Sequence, residues 1–229
     1  MPTLAISEGK MIKETYTMIE KINTAGYKTI SKPSKNVIKY LEKFLKDAEE
    51  PISIAEIGIG VGATSIEIVK RLRKKDSFYF FSYENDVREL ESDLKNQDYC
   101  NCKLYPMGNT RAVYDSYNWK LSSLYLEDNE LFDLVYLDGA HSFFHDGLAT
   151  VLLKKLVKQN GIIIFDDVHW SYQKSPTRNP EKHPRTLKEY SMEQIKTEQV
   201  KRVIEVFMEP DKDWERIGDI TDQAIYRKK

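Results

Sequence analysis

The chain has 229 residues, a formal net charge of −1 at pH 7, 41% hydrophobic residues and 31% charged ones. That length suits one α/β domain with additions, and so balanced a charge excludes a globally basic nucleic-acid binder or a polybasic membrane-surface protein. No apolar run approaches a membrane span, and the N-terminal MPTLAISEGK lacks a signal-peptide core, so cytoplasmic residence is the expectation.

Two helices are predicted first. Ile12, Tyr16, Ile19 and Ile22 recur at helical spacing before Gly26, and Val37, Ile38, Leu41, Phe44 and Leu45 form a second amphipathic stripe that ends near Pro51. Residues 1–50 therefore read as an N-terminal helical extension to a domain over 51–229. Strand and helix then alternate. ISIAEIG (52–58) reads as strand, followed by a helix with Ile66, Val69 and Leu72; SFYFFSYE (77–84) is strand, followed by a helix through Val87, Leu90 and Leu94. CKLYPM (102–107) is a third strand, with a mostly polar, aromatic helix or loop after it. Strands at 132–137 and 161–165 flank a helix carrying Leu148, Val151, Leu152 and Leu156. This alternation predicts a doubly wound, mostly parallel α/β sheet. Cys100 and Cys102 lie one residue apart at the start of such a strand and read as two reduced thiols.

After Trp170 the pattern breaks. Residues 171–188 hold three prolines and no apolar periodicity, with Lys174, Arg178, Lys182, Arg185 and Lys188 against the single acid Glu181. Loops of this length are commonly functional, and the segment 171–200 is a candidate substrate lid that would recognise an acidic acceptor through Arg178 and Arg185. A solvated loop is the plainer alternative. RVIEVFME (202–209) and QAIYR (223–227) then suggest two edge segments pairing antiparallel.

The first strand runs into AEIGIGVGAT (55–64). Gly58, Gly60 and Gly62 allow a tight turn and close approach of backbone to ligand, and the helix start behind them favours an anionic group. Read literally, Gly58, Gly60 and Ala63 also satisfy the dinucleotide fingerprint, and Glu84 at the end of the second strand suits a ribose diol for either cofactor. Glu56 separates the two. A carboxylate there repels a pyrophosphate but suits an ammonium. The five residues Glu56, Gly58, Gly60, Gly62 and Glu84 together resemble the cofactor site of class I S-adenosylmethionine (SAM) methyltransferases.

Two further segments run from buried strand into acid: FDLVYLDGAH (132–141) and GIIIFDDVHW (161–170). If the strands are neighbours, Asp138, Asp166 and Asp167 meet at the carboxyl edge of the sheet, where open α/β sheets bind ligands. Turn shaping by Asp138, capping by the two adjacent acids and a half-buried structural His141 are the competing roles. With His141 three residues after Asp138, the set resembles the divalent-metal O-methyltransferases, both the catechol type and the sugar-modifying type related to macrocin O-methyltransferase. The resemblance covers roughly residues 50–170. His141 matches the sugar branch, since catechol-type enzymes carry Lys there; their frequent Asn at the third ligand is Asp here.

That resemblance implies a seven-stranded Rossmann-like sheet with a reversed last strand. It implies SAM on Glu56, the glycines, Glu84 and Asp138, and magnesium or a similar divalent ion on Asp138, Asp166 and Asp167. His141 would be the general base. A small-molecule hydroxyl acceptor is expected, a sugar, a natural product or an acidic phosphate-type compound. Two other readings share the loop: a metal-independent methyltransferase acting on another atom, and a nicotinamide oxidoreductase. His169, Tyr16, Trp170 and Tyr172 stand near the site with open roles, while His145 reads as helix surface.

Overall fold

The computed structural model describes residues 17–24, 27, 32–127, 130–220 and 222–229. The first expected helix lies largely outside them, Ile12, Tyr16 and Gly26 included; within them a short α1 covers Met18–Lys21. Helix α2, Lys35–Asp47, has Ser34 as its N-cap, the hydroxyl accepting from Val37 N–H at 3.4 Å, and buries Val37 and Leu41.

From there the chain alternates as its apolar pattern dictates. β1 (Ser53–Ile57), α3 (Ala63–Val69), β2 (Ser77–Tyr83), α4 (Glu84–Lys95) and β3 (Lys103–Asn109) form one half. α5 (Tyr117–Glu127), β4 (Phe132–Leu137), α6 (Phe143–Leu156) and β5 (Val157–Phe165) follow. The segment after β5 is folded, carrying the short helices α7 (Thr186–Glu189) and α8 (Met192–Lys196) before α9 (Gln199–Phe207), β6 (Trp214–Ile220) and β7 (Gln223–Lys228). The sheet order is β3-β2-β1-β4-β5-β7-β6, with β7 antiparallel to both neighbours and the other pairings parallel.

Each face of the sheet has its own core. Ile54, Phe78, Phe80, Leu134, Ile164 and Ile225 pack under α1 to α4, and Ala55, Phe81, Val135, Leu137, Ile163 and Tyr226 under α5, α6 and α9. Neighbouring strand residues alternate between the two sets because side chains alternate across a strand. Truncating a fully buried core residue such as Leu134 costs about 2–5 kcal/mol.

One expected edge segment differs. RVIEVFME is the end of α9, because Val200, Val203, Ile204 and Met208 are buried at helical spacing against the α6 side. The partner of β7 is instead β6, whose WERIGDI carries charge and a glycine at the sheet edge and so reads as loop.

Candidate active site

Strand parity builds the site. On β1, Glu56 follows Ile54 by two residues; on β4, Tyr136 and Asp138 follow Leu134; on β5, Asp166 follows Ile162 and Ile164. All therefore stand on the α1–α4 face as the strands run out of apolar residues. Register sets them side by side: Glu56 opposite Tyr136, and Leu137 opposite Phe165. The ladder continues one step further, Asp138 N–H donating to Ile57 O at 2.9 Å and Asp166 N–H to Leu137 O at 3.0 Å. A cavity of about 550 Å³ opens above, lined by Glu56, Gly60, Tyr136, Asp138, Asp166 and Asp167, and also by Lys21 and Lys32 of the N-terminal segment.

The glycine turn wraps the near end. Gly58 has φ +87°, and a Cβ there would lie 1.8 Å from the carbonyl oxygen of Asp138, so the β1 turn and the β4 acid approach as closely as backbones can. Gly60 has φ +52° and nothing within 4 Å of a built Cβ, leaving its backbone open to the cavity. Glu56 is 2% exposed and accepts the Ser65 hydroxyl at 2.5 Å. Burial raises its pKa from 4.5 to about 8, the Ser65 hydrogen bond opposing this. Glu84, expected at the end of the second strand, is instead the first residue of α4; it is half exposed, pairs with Arg88 at 2.5 Å, and leaves Tyr83 to line the neighbouring cavity.

At the ends of β4 and β5, Asp138, His141 and Asp167 each offer a donor atom within 4.8 Å of one another. His141 Nε2 stands 3.5 Å from Asp138 Oδ1 and 3.4 Å from Asp167 Oδ2. Both His141 (φ 50°) and Asp167 (φ 51°) are left-handed, a conformation that His and Asp tolerate better than most residues. Asp166 is held differently: it accepts from the Tyr136 hydroxyl and, at 2.9 Å, from Gln223 Nε2 of β7. Gln223 in turn reaches the Ser34 hydroxyl at 3.1 Å and accepts Asn36 Nδ2 at 2.6 Å, tying the start of α2 to the same carboxylate.

The charges resist one another. Burial first, then the neighbouring Asp166, Asp167 and Glu56, push the Asp138 pKa well up. Asp167 rises to about 6 through burial, Asp166 and Asp222. Burial also lowers the pKa of His141, favouring the neutral imidazole that can accept a proton. Clustered carboxylates whose ionisation is opposed suit a hard divalent cation, which would relieve the repulsion. The donor set therefore fits such an ion.

Several supporting residues escaped the sequence. Tyr136 had a signal, its two-residue offset from Asp138; Gln223, 57 residues from Asp166, had none. Tyr117 on α5 donates to buried Asp146 on α6 and accepts the Ala140 N–H at 3.3 Å, bracing the turn that carries His141.

A second cavity, about 320 Å³, lies across the β4 edge. It is lined by Ser82, Tyr83 and Asn109 at the ends of β2 and β3, by Asp115 ahead of α5, and by Trp170, Tyr172, Arg178 and Tyr190. His145, expected on the helix surface, is half-buried there, its Nδ1 2.8 Å from the Ser142 hydroxyl. His169 is exposed and faces away, paired with Glu198 at 3.2 Å. Cys100 and Cys102 are free thiols.

No family model and no curated protein matches this chain. Solved structures do. An O-methyltransferase from Bacillus cereus in complex with SAH superposes with a TM-score of 0.61 at 17% identity, over 96% of this chain and 94% of that one. The fold is that of known methyltransferases. The O-methyltransferase TomG from Streptomyces achromogenes, in complex with SAM, matches with a TM-score of 0.50 at 17% identity over 85% of this chain and 80% of its own. The CurJ carbon methyltransferase matches with a TM-score of 0.54 at 13% identity, over 90% of this chain and 55% of that chain. Oxygen and carbon methyltransferases thus share this fold, so the acceptor atom must be argued from side chains. Among the described residues, no helix is long and apolar enough to cross a membrane.

Proposed function

We propose that this protein is a SAM-dependent O-methyltransferase assisted by a divalent metal. The observation that carries the reading is the placement of Glu56, Asp138 and Asp166 on one face of the sheet, beside the Gly58–Gly62 turn, with His141 between Asp138 and Asp167. Glu56 and the open backbone of Gly60 hold the methionine end of SAM, the ammonium offsetting the buried carboxylate. Glu84 at the start of α4 and Asp115 ahead of α5 would serve the ribose and adenine. Asp138, Asp166 and Asp167 hold the metal, with His141 close enough to sense it. When bound, the ion lowers the pKa of an acceptor hydroxyl and helps orient it.

The chain's own residues do the rest. The acceptor hydroxyl lies in line with the sulfonium methyl, so that positioning supplies much of the rate. His141 Nε2 takes the hydroxyl proton, the oxygen forms the new bond to the methyl carbon, and the carbon–sulfur electron pair stays on sulfur, leaving S-adenosylhomocysteine. Residues 1–50 act as the helical extension that walls the cavity through Lys21 and Lys32, and 171–200 as the lid. The acceptor is a small polar hydroxyl compound, and the protein works in the cytoplasm.

Calorimetric titration of magnesium into chelator-treated, SAM-saturated protein tests the reading. Saturable binding is expected, and an Asp166→Ala, Asp167→Ala double variant should lose it. Activity indifferent to chelators would instead favour a metal-independent enzyme on another acceptor atom. Failure to bind SAM, with binding of a nicotinamide dinucleotide, would replace the reading altogether.

A further inference from the structure

The segment after β5 is built to present one cation to the second cavity. Arg178 is anchored at both ends of its peptide unit by buried hydroxyls: its N–H donates to Ser175 Oγ at 3.1 Å, and its carbonyl accepts from Thr186 Oγ1 at 2.9 Å. Its guanidinium faces the Tyr172 ring at 5.7 Å, and Tyr172 stacks on Tyr190 with centroids 4.1 Å apart. Arg178 Nε is buried with no hydrogen-bond partner among the described residues, a donor left for a ligand's acceptor to satisfy.

Its countercharge is also incomplete. Glu189 meets Arg178 at 3.3 Å but Arg185 at 2.6 Å, so one carboxylate serves two guanidinium groups. Arg185 is 74% exposed and does not line the cavity, whereas Arg178 does. A run of rings leads back to the candidate base: Tyr172 to Trp170 at 4.8 Å, and Trp170 to His141 at 5.7 Å.

We propose that Arg178, on its Tyr172–Tyr190 platform, forms an anion subsite that takes a carboxylate or phosphate group of the acceptor, while Arg185 takes no part. An arginine fork reads either anion through paired charge-assisted hydrogen bonds, and the aromatic floor favours the flat or ring-shaped body attached to it. The word acceptor rests on the methyltransferase reading; the subsite itself does not. It narrows the substrate to an anionic hydroxyl compound with its charge about one ring system away from the reacting oxygen.

The test titrates inorganic pyrophosphate and malonate separately into SAH-saturated protein by calorimetry, for the unaltered chain, Arg178→Gln, Arg178→Lys and Arg185→Gln. At least one anion should bind saturably, and which one identifies the group. Arg178→Gln should weaken it about tenfold or more, Arg178→Lys should fall between, and Arg185→Gln should stay within about twofold. Equal SAH affinity across all four chains shows that each is folded. Binding of neither anion, an unaltered Arg178→Gln, or equal losses at both arginines would overturn the subsite. Absence of SAH binding would sink the methyltransferase reading alone, since the same anion comparison in the unliganded protein still decides the subsite.

Discussion

The acids of the first cavity and the arginine of the second carry opposite charge and are fixed by different means. On the sheet side, Glu56, Asp138 and Asp166 are placed by strand register, and each backbone position is held by its neighbour strand. In the segment after β5, Arg178 is placed by irregular backbone whose geometry rests on the Ser175 and Thr186 hydroxyls. A sheet edge holds mutually repelling acids because the ladder leaves them nowhere to go, and the cost is visible in the raised pKa values of Glu56, Asp138 and Asp167.

The hardest way to strain that contrast is to remove His141, which stands between Asp138 and Asp167 and beside Trp170. His141→Ala should lower methyl transfer by about a hundred- to ten-thousand-fold with SAH affinity unchanged, read by steady-state rates beside calorimetry. Undiminished turnover would take the base role from His141.

Next comes the acid wall's own cost. Glu56 keeps its proton in the folded protein up to about 8 against an ordinary 4.5. The folded state thus binds more protons than the unfolded one between those values. Its contribution to stability is complete below about pH 4.5 and is lost as pH rises toward 8, a few kcal/mol by the order of magnitude of the shift. Glu56→Gln should therefore gain thermal stability relative to the parent as pH climbs from 5 to 8.5, and should weaken SAM. Because the ligand's ammonium favours the ionised carboxylate, SAM binding near pH 7 should release a proton in the parent but not in the variant, measurable in buffers of different ionisation enthalpy. A stability gap that does not vary with pH would contradict this account of Glu56.

Supports of the acid wall should matter less than the acids. Tyr136→Phe and Gln223→Leu each remove one hydrogen bond to Asp166 and should weaken metal about ten- to a hundred-fold, as outer partners of ligands usually do. Affinities matching the parent would mean that Asp166 needs no such bracing. Smallest of all is Gly60→Ala, which meets nothing within 4 Å and should cost about 1–2 kcal/mol of stability for its left-handed backbone. Its larger signature should be lost SAM affinity, because the new methyl enters the cavity.

Much of the acid wall was legible because it obeys a period. Alternation along 132–138 and 161–166 places Asp138 and Asp166 on one face once the strands are known to adjoin, and the glycines mark the turn beside them. Glu56 was readable as an ammonium partner but not as a buried acid that keeps its proton near neutral pH, since that depends on how deeply α2 and α3 cover it. The lid was legible only as a basic stretch. Five positive residues looked alike there, and nothing local separated Arg178 from Arg185. The α9 segment misled because its β-branched residues favour a strand locally, while burial at helical spacing against α6 decided for a helix.

By itself, then, the sequence determined the alternating α/β architecture, the glycine turn and the acids at the strand ends, because each is written in short-range periodicity or in single residues at strand termini. Tertiary structure alone decided that Tyr136 and Gln223 hold Asp166, that His141 stands between Asp138 and Asp167, and that Arg178 rather than Arg185 lines the second cavity. Those outcomes depend on contacts between segments as many as 57 residues apart, and on which way irregular backbone turns, neither of which local pattern encodes.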